Sequence, residues 1–140
     1  MALKVAKMDL WVASIKDEPG ALAKKLSLLA QAGANLSFFM ARRTPEKRGR
    51  GAVFLSGIHG AKQFAAARKA GLRRSKSIHA LRVEGPNKPG VGACITCALA
   101  EASINLRGMS AAVIGRKFVA HLALDSAATV TKAARLLRKL

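Results

Sequence analysis

Two short segments hold the residues best suited to bind a small charged molecule. Asp-Glu-Pro-Gly occupies residues 17–20, and Asn-Lys-Pro-Gly occupies residues 87–90. Apolar residues at helical spacing follow each segment, so each is expected to open a helix, where free backbone N–H groups favour an anion. Asn35 and Asn105 lie at the same distance beyond their segments, and a carboxamide offers both a donor and an acceptor. Together these residues suit a molecule that carries a carboxylate and an ammonium group.

Four of these positions also have a purely structural interpretation. Asp17 and Asn87 have side chains that cap helices well, and Asn35 and Asn105 are common turn residues before a strand. The sequence leaves both interpretations open. The charge of Asp17 suits an ammonium and repels a carboxylate, so the segment with Asn87 is favoured if only one of the two binds an amino acid.

Both segments belong to an internal duplication with a step of 70 residues, from 17 to 87. Identical residues at this step fall inside the expected helix, at the turn after it and at the start of the next strand. They are Ala23 and Ala93, Leu29 and Leu99, Ala30 and Ala100, Ala32 and Ala102, and Leu36 and Leu106. Such a repeat predicts two similar structural units, a first at residues 1–77 and a second at residues 78–140, each with a core that is marginal alone.

Each unit is predicted to follow the order strand, helix, strand, strand, helix, strand, which is the ferredoxin-like α+β arrangement. The predicted elements of the first unit are strands at 3–15, 36–41, 52–56 and 72–77, and helices at 17–32 and 61–70. Those of the second unit are strands at 78–84, 106–114 and 118–124, and helices at 89–102 and 126–140. Apolar stripes mark the buried faces of three of these helices. They are Leu22, Leu26 and Leu29, then Phe64 and Ala67, and finally Val130, Ala133, Leu137 and Leu140.

One strand is missing from the second unit, because the sequence stops at Leu140 after the last predicted helix. In the first unit the corresponding strand is residues 72–77. A step of 70 back from that strand leads to residues 2–7, the front half of an overlong N-terminal segment. We expect residues 2–7 to supply the edge strand of the second unit.

The repeated pattern resembles the ACT domain, a small regulatory module. Residues 17–20 with Asn35, and residues 87–90 with Asn105, both match its order of Asp or Asn, any residue, Pro-Gly, a helix, and Asn before the second strand. The resemblance covers nearly the whole chain as two tandem copies. It implies two ferredoxin-like βαββαβ units with antiparallel sheets covered by helices on one face. It also implies a non-catalytic protein that binds an amino acid, or a similar metabolite, at interfaces between units and regulates an associated enzyme.

The resemblance also implies which residues contact the ligand. They are Asp17, Glu18, Pro19, Gly20, Ala21, Leu22 and Asn35 in the first unit, and Asn87, Lys88, Pro89, Gly90, Val91, Gly92 and Asn105 in the second. Some members of the family have a ligand-contacting His two residues before the Asp or Asn. Here Ile15 and Gly85 stand at those positions, so the resemblance does not identify the ligand.

A net charge of +18, from 25 basic and 7 acidic residues, favours an alternative function. A field of this strength attracts nucleic acid and other polyanions. Basic residues crowd one predicted loop at 42–50 and one face of the last helix. RNA-recognition motifs share the chain order and read bases with aromatic residues on the middle strands. Phe38, Phe39 and Phe118 lie on such strands, but the Gly-Phe-rich signature is absent and the chain has no Tyr, so binding of nucleic acid is possible but not favoured.

No combination of residues predicts catalysis, a metal or a cofactor. Cys94 and Cys97 form a C-x-x-C pair inside a predicted helix, without a second pair or a nearby His, so we expect small buried apolar residues. The three histidines have no carboxylate at a spacing that indicates a proton relay, and no phosphate-binding loop is present. The sequence therefore predicts that the protein is not an enzyme.

The sequence also predicts location and assembly. No segment approaches the roughly 20 apolar residues that span a bilayer, and Asp9 and Lys16 interrupt the first apolar run. Two cysteines are too few for a scaffold built on disulfides. We expect a soluble cytoplasmic protein without a membrane partner, and a homodimer formed through exposed sheet edges.

Overall fold

The computed structural model describes residues 1–140 and contains eight strands and four helices. The strands are β1 (Lys4–Met8), β2 (Trp11–Lys16), β3 (Phe38–Arg43), β4 (Arg50–Ser56), β5 (Arg73–Arg74), β6 (His79–Pro86), β7 (Gly108–Ile114) and β8 (Lys117–Leu124). The helices are α1 (Ala21–Gln31), α2 (Gly60–Lys69), α3 (Val91–Glu101) and α4 (Ala127–Leu137). The predicted class, α+β with two ferredoxin-like units, is confirmed.

The first unit comprises Asp9–Ser75 and contains one antiparallel sheet in the order β3-β4-β2-β5. Alternation along β2 and β4 turns Trp11, Ala13, Val53 and Leu55 to the side that the helices cover. Leu29 of α1 is buried against them, and the other members of its predicted stripe are partly buried on the same core. The prediction that Phe64 and Ala67 of α2 face inward is likewise confirmed.

Trp11 occupies one end of this core and is 2% exposed. Its ring stacks on Phe64 with 5.8 Å between centroids, and the guanidinium of Arg74 lies 5.4 Å from the Trp11 ring and 4.8 Å from the Phe64 ring. The indole N–H is buried and donates to no acceptor. Aromatic stacking and a cation–π contact therefore hold this side chain in place, without a hydrogen bond.

The second unit comprises Met1–Met8 together with Lys76–Leu140, and its sheet has the order β1-β6-β8-β7. β1 is antiparallel to β6, with registers from Lys4 opposite Glu84 to Met8 opposite Ala80. Leu3 and Val5 enter the same core as the buried residues of α3, α4, β6 and β8. A Cβ on Gly85 would lie 2.5 Å from Leu3 Cδ2, so Leu3 packs directly over the glycine of β6.

Two hydrogen bonds also tie the N-terminal segment with β1 to the end of α4 and the residues after it. The N–H of Ala2 donates to the carbonyl of Leu140 over 3.1 Å, and Arg138 Nη2 donates to the carbonyl of Val5 over 3.0 Å. Val130, Ala133 and Leu137 of α4 are buried in the core, as their spacing predicts, and Leu140 packs partly buried against it.

Two predicted strands differ from their expected bounds. The strand predicted at 72–77 forms ladder pairs only at Arg73 and Arg74, because Leu72 is buried in the core and its N–H bonds back to Ala67 at the end of α2. The strand predicted at 36–41 begins at Phe38 instead. No helix in the chain is long and apolar enough to cross a membrane.

Replacing Leu3 with Ala is expected to lower the free energy of unfolding of the second unit by about 2–5 kcal/mol, because the change opens a cavity over Gly85. Hydrogen exchange read by mass spectrometry should show less protection in β6 and β8. Lys4→Ala, which removes an exposed side chain from the same strand, should change stability by less than about 0.5 kcal/mol. Equal losses of protection in β2 and β4 would contradict the placement of β1 in the second unit.

Candidate ligand-binding site

Gly20 and Gly90 open the first helix of each unit in the left-handed conformation, with φ of 87° and 86°. No side chain caps either helix. Asp17 is three residues before the cap position, and its carboxylate accepts a hydrogen bond from Arg43 Nε over 2.8 Å. The interpretation of Asp17 and Asn87 as helix caps is therefore wrong, because the chain needs the intervening residues to turn from strand to helix.

The helix openings leave backbone donors unpaired. In α1 the N–H of Ala21 reaches Glu18 O over 3.4 Å, and that of Lys24 reaches Gly20 O over 3.0 Å. The two N–H groups between them, of Leu22 and Ala23, donate to no acceptor in the chain. The opening of α3 repeats this pattern, with the N–H groups of Gly92 and Ala93 unpaired. Each opening therefore presents two donors at the positive end of a helix.

A backbone hydrogen bond fixes the start of each segment to the hairpin turn beside it. The N–H of Asp17 donates to Gly49 O, and the N–H of Asn87 donates to Arg116 O, both over 3.0 Å. The two openings thus have the same support, although one hairpin loop is much longer than the other.

Asn35 and Asn105 lie at the opposite end of their units from these openings. Asn35 precedes β3, which starts with Phe38 opposite Ser56, whereas Asp17 follows the end of β2 next to Arg43. The 11 residues of α1 between them span about 16 Å. The second unit has the same order, so the structure does not bring either Asn together with the opening of its own unit.

Solved structures share this arrangement over almost the whole chain. A protein from Bacteroides thetaiotaomicron has a TM-score of 0.73 at 16% identity, with 99% of this chain and 90% of that chain covered. The ligand-free regulatory subunit of aspartate kinase from Thermus thermophilus has a TM-score of 0.65 at 19% identity, with 99% and 98% covered. Aspartate kinase from Clostridium acetobutylicum, at a TM-score of 0.61 and 14% identity, is matched over 98% of this chain and 34% of that chain.

The chain has the tandem ACT fold. Both units take part in these matches, as the predicted duplication requires. No protein-family profile matches the sequence. A search of curated proteins finds no similar sequence.

The candidate residues of the two ACT units differ in how much of each is accessible. Asp17, Asn35, Asn87 and Asn105 are exposed. So are Glu18, Pro19, Gly20, Lys88, Pro89 and Gly90, whereas Ala21, Leu22 and Gly92 are half-buried. Val91 is 3% exposed and belongs to the core, so its side chain is not available to a ligand.

Arg43 is a residue at the first opening that the sequence pattern did not single out. It is 82% exposed and pairs with Asp17, which is 37% exposed, so we expect little stability from the pair itself. The ion pair forms because the register between β3 and β4 places Arg43 opposite Gly51, at the end of β3 nearest Asp17. The corresponding residue of β7 at the step of 70 is Val113, so the second ACT unit has no such ion pair.

Cys94 and Cys97 are not the buried residues that the sequence predicts. Cys94 is half-buried and Cys97 is exposed. The reason is that α3 buries Val91, Ile95 and Leu99, four residues apart, and Cys97 lies on the other side of the helix. No group of three or more His, Cys, Asp or Glu side chains in the chain is placed to hold a metal ion.

A polar cluster on the sheet of the second ACT unit was also not predicted. Arg82 donates to Glu84 Oε1 from Nη2 over 2.8 Å and from Nε over 3.0 Å, and its Nη1 lies 3.5 Å from His121 Nε2. The hydrogen bond from Arg82 lowers the pKa of Glu84 below 4.5. Burial, and then the charge of Arg82, lower the pKa of His121 below 6.5, although Glu84 opposes this.

These pKa shifts predict that acid weakens the second unit. Below about pH 6.5 the unfolded chain takes up a proton on His121 before the folded chain does, so the free energy of unfolding falls as the pH falls. Below about pH 4.5 the same holds for Glu84. Urea midpoints should fall between pH 7.5 and 5.5, and His121→Gln should reduce that fall. The exposed His59→Gln serves as a control, and an identical pH dependence in both variants would contradict the assignment.

Gly57 is expected to be irreplaceable because it supports the backbone of Asn35. Its φ is 110°, and a Cβ there would lie 2.8 Å from Ser37 N and 2.9 Å from Asn35 O. Gly33 has φ of 81°, but a Cβ there would have no other atom within 4 Å, so its replacement measures conformational strain without steric overlap. Gly33→Ala should cost about 1–2 kcal/mol and Gly57→Ala distinctly more, as measured by urea denaturation. Equal losses of unfolding free energy in the two variants would show that the close approach of Gly57 does not hold the backbone of Asn35.

Proposed function

We propose that the protein is a non-catalytic regulator that binds an amino acid, or a similar small metabolite, at the openings of α1 and α3. The observation that carries the proposal is that a left-handed glycine in each opening leaves two backbone N–H groups without an acceptor. Such donors suit a carboxylate. The loops of residues 17–22 and 87–92 would surround that end of the ligand.

The opening of α3 is the better site for a carboxylate. Its loop carries Asn87 and Lys88, with no acidic side chain among residues 87–92. The opening of α1 instead carries Asp17 and Glu18, and Arg43 occupies one oxygen of Asp17. A carboxylate ligand would meet repulsion there and attraction at α3. The opening of α1 therefore suits an ammonium group, and we propose α3 as the main amino-acid site.

We propose that a second copy of the chain completes the site. Asn35 and Asn105 lie at the opposite end of their units from the helix openings. One unit alone therefore offers only some of the donors and acceptors that a zwitterion needs. We propose a homodimer that forms along the exposed edge strands. On the edge strand β7, Val113 is 51% exposed and Ile114 is 67% exposed. Exposed apolar side chains on an edge strand favour association.

A regulatory role follows from such a site. A ligand that binds one packing of two copies more tightly than another shifts the population between them. Two of the similar structures are of aspartate kinase, one of them its regulatory subunit and the other described as an allosteric enzyme. We propose that an associated enzyme senses this shift, and that the protein acts in the cytoplasm, where its two free thiols stay reduced.

A thermal-shift screen of the full chain against the twenty amino acids tests the proposal. One or two of them should raise the melting temperature, because a ligand at 100 times its Kd stabilises the folded state by about 2.7 kcal/mol. Asn87→Ala and Asn105→Ala should remove most of the shift, because α3 is the main site. Light scattering should give twice the chain mass of 14.7 kDa.

Asp17→Ala is the matched control, because it changes the equivalent position of the other unit and should leave the shift in place. A shift that survives both Asn variants would contradict the placement at α3. Silence with all twenty amino acids at millimolar concentration would contradict amino-acid binding itself.

A further inference from the structure

The face of the first sheet opposite α1 and α2 has an unusual composition. Because Trp11, Ala13, Val53 and Leu55 face the helices, the residues that alternate with them face away. Six of these define what we call the basic aromatic face, and they are Lys16, Phe38, Arg42, Arg50, Phe54 and Arg73. Lys16, Arg42 and Arg73 are exposed, and the other three are half-buried.

The positive charge of this face is not neutralised. None of its strands contributes a carboxylate, because the acidic residues of the first unit all lie in the connections outside its strands and helices. They are Asp9, Asp17, Glu18 and Glu46. The chain forms three ion pairs, and none of them uses a cation of the basic aromatic face. Arg50 instead donates to Ser14 Oγ over 2.9 Å and 3.1 Å. Such a face attracts a polyanion.

Two aromatic rings lie among these cations. Phe54 is on the central strand β4, and the guanidinium of Arg42 lies 5.9 Å from the centre of its ring. Phe38 on β3 is opposite Ser56, two residues from Phe54, so the two rings are diagonal neighbours on adjacent strands. Rings at this spacing, with guanidinium groups beside them, provide surfaces on which unpaired bases stack.

The second unit lacks most of these features at the equivalent positions, although Lys117 stands at the position of Arg50. Strand registers match Arg42 to Ala112, Phe54 to His121, Lys16 to Pro86 and Arg73 to Ala6. In addition, its sheet carries Glu84, which pairs with Arg82. The combination of unpaired cations and rings therefore belongs to the first unit alone and does not follow from the repeated fold.

We propose that the basic aromatic face binds single-stranded nucleic acid. Its cations match a phosphate backbone, and its rings match bases that are not already stacked in a duplex. An acidic protein or an anionic membrane would use the cations but would gain little from the flat rings. The face shares no residue with the opening of α3, so its variants can be tested without changing the proposed amino-acid site.

Fluorescence anisotropy with the full chain and a labelled ten-nucleotide oligouridylate tests the proposal. Binding should saturate, and two variants should weaken it in different ways. Arg42→Gln should reduce the slope of log affinity against log salt by about 0.7, the value for one phosphate contact on a single strand. Phe54→Leu should weaken binding roughly ten-fold with the slope unchanged, because it removes stacking and no charge. Phe38→Leu should act like Phe54→Leu, and circular dichroism checks that each variant stays folded.

Lys117→Gln is the matched control, because Lys117 occupies the position of Arg50 on the other sheet. It should leave the affinity within about two-fold and change the salt slope far less than Arg42→Gln does. Equal effects of Lys117→Gln and Arg42→Gln, with no effect of Phe54→Leu or Phe38→Leu, would overturn the proposal in favour of general charge attraction. Tighter binding to phosphatidylserine vesicles or to polyglutamate than to the oligonucleotide would overturn it in favour of another partner.

Discussion

Antiparallel pairing between β1 and β6 is the interaction on which the second unit depends. β6 carries Leu81 and Val83 into the core, and without β1 it would be an unpaired edge beside them. The pairing also brings Leu3 and Val5 into that core and provides contacts for the end of α4. Residues more than 70 positions apart in sequence thus complete one sheet, while Asp9–Ser75 forms a sheet of its own.

The antiparallel order of each sheet also decides what the candidate site can be. A strand that leads into a helix and a strand that follows it run in the same direction, so their connections lie at opposite ends of the unit. The opening with its free donors and the Asn before the next strand are separated for this reason. In the proposed homodimer, a ligand that contacts both groups would favour one packing of the two copies over another, which is the basis of the proposed regulation.

The sequence predicts much of the fold because a repeated pattern and apolar stripes depend on local spacing. Leu29, Ala67 and Leu137 are buried as their spacing predicts. Details that depend on tertiary geometry were not accessible in this way. The turn through a left-handed Gly20 moves Asp17 away from the helix start, and strand register alone brings Arg43 to it. Cys97 is exposed because the stripe on α3 is narrow and the helix lies at the surface.

Trp11 has a consequence for how the molecule can be observed. It is the only Trp in a chain without Tyr, and it is buried in the first unit against Phe64 and Arg74. Fluorescence excited at the indole band therefore reports on that unit alone, while the other unit is silent at this wavelength. The two halves of a duplicated protein, which overlap in most spectroscopic signals, are distinguishable here by a single natural chromophore.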